Sequence, residues 1–85
     1  MINYDLIPEH CRDSMKRYIE HGVIPGGFLQ AVICNDLVGA FGKADQTNRH
    51  RLYDYCDFLY NYMPDPAWGS KEKMIAWSKK KTEKQ

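Results

Sequence analysis

A chain of 85 residues with twelve Lys and Arg against eleven Asp and Glu carries a formal net charge of +1. A field that weak does not draw in nucleic acid or an anionic membrane surface, and a length of this order holds one domain, spanning 1–85. Aromatic residues make up 13% of the chain, with six Tyr and two Trp, while so small a domain hides only about 60% of its unfolded surface.

That surplus of large amphipathic side chains is expected to face a partner subunit or a ligand, and self-association into a homo-oligomer is the expectation, since oligomerisation is a common remedy for a marginal core. Cys11, Cys34 and Cys56 have no paired spacing and read as buried free thiols in a reducing compartment. No apolar run approaches the roughly 20 residues of a membrane span. The first residues also lack the basic-then-apolar form of a signal peptide. A cytoplasmic location without membrane contact follows as the expectation.

In chain order, residues 1–7 form a lead segment. Pro8 suits a first helical position, and Cys11, Met15, Tyr18 and Ile19 then recur on one face, so the spacing predicts a first helix over about 8–21. Gly22 is placed to cap it in the left-handed conformation. Pro25 opens a second helix whose apolar face is Leu29, Val32, Ile33, Leu37, Ala40 and Phe41, ended by Gly42. Gly26 and Gly27 in its first turn imply close approach of another backbone, or free N–H groups offered to an anion.

Asp36 stands within that apolar stripe, with Asn35 beside it. A carboxylate there must be paired, hydrogen-bonded or neutralised, and capping a neighbouring helix is one way. Asp45 or Thr47 caps a third helix that runs to Met63 on a core stripe of Leu52, Tyr55, Cys56, Leu59 and Met63. Tyr53, Tyr60 and Tyr62 widen its aromatic surface. Pro64-Asp65-Pro66 stops it. Ser70 caps a short fourth helix carrying Met74 and Trp77, with Trp68 packing back like a staple. The basic run over 79–85 is expected to fray. The sum is all-α: a small bundle of three main helices plus a short C-terminal helix.

No spacing pairs His10, His21 or His50 with a nucleophile, and none matches a zinc site, so neither an enzyme nor a metal or cofactor is expected. Two binding readings remain. Helix two, the turn at Gly42 and helix three outline a helix-turn-helix, whose base-reading residues would be those from Gln46 to Arg51. The low net charge argues against it, because phosphate contacts supply most of the affinity for DNA. Alternatively, Arg49 and Arg51 clamp an anionic, nucleotide-like ligand, or the aromatic surface docks a protein. The candidate binding set is Asn35, Asp36, Asp45, Asn48, Arg49 and Arg51, with Trp68 as an aromatic wall.

The segments 17–22 (Arg17-Tyr18-Ile19-Glu20-His21-Gly22), Ile24-Pro25-Gly26-Gly27-Phe28-Leu29, Asn35-Asp36-Leu37, Ala44-Asp45, Asn48, Leu59-Tyr60-Asn61 and Pro66-Ala67-Trp68-Gly69-Ser70 give the chain a pattern that resembles a family of small proteins encoded by tailed phages and prophages. The resemblance covers most of the chain, from about Ile7 to Trp77, and brings no catalytic or binding role. What it implies is a host-cell setting and a stoichiometric role in which the protein interferes with host defence, by occupying a host protein or sequestering a small anionic signal.

Overall fold

The computed structural model describes residues 2–83. Among them are six α-helices and no strand. They are α1 (Glu9–His21), α2 (Gly27–Ile33), α3 (Leu37–Lys43), α4 (Gln46–His50), α5 (Leu52–Tyr62) and α6 (Lys71–Glu83), with 3-10 turns at Tyr4–Leu6 and Asp65–Ala67. The all-α expectation holds. The count of three main helices does not, because two of the expected helices are each broken into a pair.

The first break lies at residues 34–36. Asn35 takes the left-handed conformation at φ 65°, which Asn tolerates far better than most residues. Asp36 follows as the N-cap of α3, accepting from Gly39 N–H at 3.0 Å. A left-handed Asn followed by a capping Asp ends one helix and starts the next. The second break is at Arg51, between α4 and α5. Two smaller boundaries also differ from the periodicity. Pro8 caps α1 from outside, and α2 begins at Gly27, two residues after Pro25. Gly26 meets no neighbouring atom, while the Lys43 stem lies beside Gly27, so no other backbone approaches there.

The core gathers Ile7, Met15, Tyr18, Ile33, Tyr55 and Phe58, all fully buried, with Leu29, Val32, Leu59, Met74 and Trp77 around them. α2 packs on α3, α5 and α6, and α1 packs on α6. The fourth helix is not short: α6 has 13 residues and runs through Lys79, Lys80 and Lys81 to Glu83, where the basic run predicts fraying. Lys84 and Gln85 lie outside the described residues. α6 is locked to the end of α1. Trp77 Nε1–H donates to the carbonyls of Tyr18 and Ile19, each at 3.2 Å. Ser78 Oγ–H donates to Gly22 O at 2.7 Å. Gly22 sits at φ 74°, and an added Cβ would lie 2.7 Å from the Ser78 carbonyl, so both the turn and the close approach require glycine.

Within the lead segment, Tyr4–Leu6 form a 3-10 turn. Ile7 is fully buried, and its carbonyl accepts from Arg12 Nε at 3.0 Å. Tyr4 stacks on Phe58 with ring centroids 5.7 Å apart. The described helices include none long and apolar enough to cross a membrane.

Candidate functional site

The seven sequence-derived candidates do not converge on one spot. Asn48 is buried, although it lies in the middle of a short polar segment. Its Oδ1 accepts from the Tyr55 hydroxyl at 2.6 Å, its amide faces the Cys11 sulfur at 3.6 Å, and its backbone N–H donates to Asp45 Oδ1 at 2.8 Å. This is a satisfied core network. Asp45 caps α4 and also meets His10 Nε2 at 3.0 Å. The hydrogen bond from Asn48 N–H holds the Asp45 carboxyl below the usual carboxylate value, with help from His10. Arg51 is turned inward: it donates to Leu6 O at 3.0 Å and pairs with Asp54 through Nε.

Arg49 is exposed and lies over the Phe41 ring at 4.7 Å, while the partly exposed Arg51 is held by Leu6 O and Asp54. The two guanidinium groups therefore do not form a common clamp. Gln46, Thr47 and His50 are exposed, while Asn48 and Arg51, two of the six candidate base readers, are engaged within the fold. Asn35 lies elsewhere, along the side of α5, sharing one depression with Asp36 and another with Trp68.

Tyr18 and Tyr55 are both buried, and burial pushes their hydroxyl pKa values up. Tyr18 donates to Ala67 O at 2.6 Å. These hydroxyls tie elements together as neutral donors. Among the described residues, no group of three His, Cys, Asp or Glu side chains comes together as a metal site would require. Cys11 is buried as expected and Cys34 half-buried, but Cys56 is exposed, in departure from the reading of three buried thiols.

What the fold does assemble is an apolar face between α3 and α5. Leu37 is 59% exposed, Val38 83%, Phe41 49%, Tyr53 80% and Tyr60 80%. Leu37, Val38, Phe41, Leu52, Tyr53 and Cys56 line an open groove of about 510 Å³. It continues past Tyr53 and Cys56 into a second depression of about 420 Å³, walled by Asn35, Asp57, Tyr60, Asn61 and Trp68. The indole of Trp68 is half-buried against the core, with its Nε1 buried and without a partner.

Periodicity missed this face because it extended one helix across Asn35-Asp36. In a continuous helix, Leu37 and Phe41 share the buried stripe with Leu29 and Val32. The break re-aims α3: Ala40 alone is buried, and the larger apolar residues turn outward. The signal in the sequence was the pair itself, a residue suited to φ > 0 followed by a capping residue three before a glycine.

No protein-family model, curated protein or solved structure matches the chain.

Proposed function

We propose that this protein is a non-catalytic accessory binding protein of the phage type, working in the host cytoplasm without a cofactor. It interferes with host defence by occupying a protein, and the α3–α5 face is the docking surface. The observation that carries this reading is α3 itself. A helix with apolar side chains on its buried and its outward sides belongs in the interior of something, and only an added protein surface supplies that interior here. Tyr53, Tyr60 and Phe41 are the residue types that dominate binding energy when desolvated at an interface centre.

The same residues weaken the two other readings. Sequestering an anionic signal calls for convergent donors, yet Arg51 is committed to Leu6 O and Asp54. DNA reading calls for a free recognition segment with basic flanks, yet α4 is five residues long and its central Asn48 is buried.

The test is protection of a challenge phage in a defence-carrying bacterium that expresses the protein. Val38→Asp and Tyr53→Ser should each abolish the effect while circular dichroism remains that of the parent. Full activity in both variants would overturn the reading. A nucleotide-sized mass retained by the parent protein in native mass spectrometry would replace it with sequestration.

A further inference from the structure

We propose that the α3–α5 face docks a second copy of this chain about a two-fold axis; the proposal rests on reading that face as a protein-docking surface and names its occupant. Three observations point to a copy of the same chain.

The first is the distribution of charge along the face. Phe41 lines the first depression with Leu52 and Tyr53, and the adjoining depression beyond Tyr53 and Cys56 is lined by Asn35, Asp57 and Trp68. Arg49 stacks on Phe41 at one end of the face, and among the described residues it forms no ion pair. Asp57 lies at the other end with Asn35 and Trp68. It accepts from Asn61 and has no cationic partner among the described residues. An apolar strip with an unneutralised cation at one end and an unneutralised anion at the other is complementary to itself when turned through 180°. Each Arg49 then faces the Asp57 of the other copy, twice per dimer. A partner of uniform charge would match one end and clash with the other.

The second is size. With about 150–250 Å² for each aromatic side chain, the five exposed apolar residues present an area on the order of 600 Å². A standard interface takes about 800 Å² from each partner, so the apolar strip with its polar rim supplies what one side of a stable dimer needs.

The third is composition. The centre of the strip is Val38 and Tyr53, flanked by Leu37, Phe41 and Tyr60, with no charged side chain among them. An isologous interface places its axis where like residues meet like, and apolar residues meet their own kind without cost whereas charged ones do not. A host target would then compete with the second copy for the same face, by mass action.

Sedimentation velocity over a concentration series tests this on the full chain. The parent should sediment as a dimer, and Val38→Asp should sediment as a monomer with unchanged circular dichroism. Arg49→Asp and Asp57→Arg should each weaken the dimer at least tenfold, and the two together should restore it, because the swap rebuilds both pairs with reversed sign. A parent protein that stays monomeric at high concentration overturns the second copy as occupant. The docking reading still stands in that case if Val38→Asp abolishes activity against host defence, and falls with it if activity persists. A dimer indifferent to Val38→Asp, or a double charge swap that fails to restore association, also overturns the proposal.

Discussion

The Tyr55 hydroxyl donates to Asn48 Oδ1 at 2.6 Å in the interior, across the junction of α4 and α5. Both residues are buried, and Asn48 is the one buried polar side chain among those described. Its amide also faces Cys11 on α1, so this one side chain ties three helices together. Tyr55→Phe should lower stability by about 1 kcal/mol, and Asn48→Ala by about 2–3 kcal/mol, because the second leaves a buried hydroxyl without an acceptor. At about 4–8 °C per kcal/mol, the two are distinguishable in a thermal melt. The double variant should lose clearly less than the sum; strict additivity would show that the bond contributes nothing.

Arg51 joins the lead segment to the start of α5. Its guanidinium reaches the Leu6 carbonyl and the Asp54 carboxylate together, a reach that a single ammonium does not reproduce. Partial exposure discounts the ion pair, so Arg51→Ala should cost about 1 kcal/mol, and Arg51→Lys should recover less than half of it. Urea midpoints at constant slope give the comparison. Neither variant should alter association through the α3–α5 face, which Arg51 does not touch.

Asp36 contributes as a cap. Its carboxylate accepts from Gly39 N–H, so Asp36→Ala should cost about 1 kcal/mol while Asp36→Asn stays close to the parent. Equal losses in both would mean that the negative charge, acting on the helix dipole, matters more than the hydrogen bond.

The acid limb of stability belongs in part to Asp45. Its carboxyl is held below its ordinary value, first by the Asn48 N–H and then by His10. A lowered folded-state pKa gives stability that is fully present above the unfolded value of about 3.9. That stability is lost as the pH falls through the lower, folded-state value. Asp45→Asn keeps a capping oxygen but removes the titration, so its stability should vary less with pH below about 4. Identical acid profiles for parent and Asp45→Asn would assign the acid limb to other carboxylates.

The fold class, α1 with its Gly22 cap, the stop after Met63 and the start of α6 after Ser70 were legible because each rests on local chemistry: periodicity, a left-handed glycine, prolines, a capping serine. The breaks at Asn35 and Arg51 were less so: apolar spacing continues across Asn35, and residues 46–51 carry no apolar side chain whose spacing could mark a boundary before Leu52. Asn48 and Arg51 read as solvent-facing polar residues, whereas their partners, Cys11, Tyr55 and Leu6, lie 37, 7 and 45 residues away. Tyr53 and Tyr60 read as surplus aromatic surface. Their union with Leu37, Val38 and Phe41 depends on the direction in which α3 leaves Asp36.

The clamp of Trp77 and Ser78 on the end of α1 also orders events during synthesis. The terminal carbonyls of the first α-helix made are covered by side chains of α6, and Met74 and Trp77 complete the core. Nothing in the preceding helices substitutes for them. The nascent chain therefore emerges with an open hydrophobic interior and closes it only when α6 is free of the ribosome. A polypeptide ending before Trp77 should therefore be cleaved faster than the full chain in limited proteolysis.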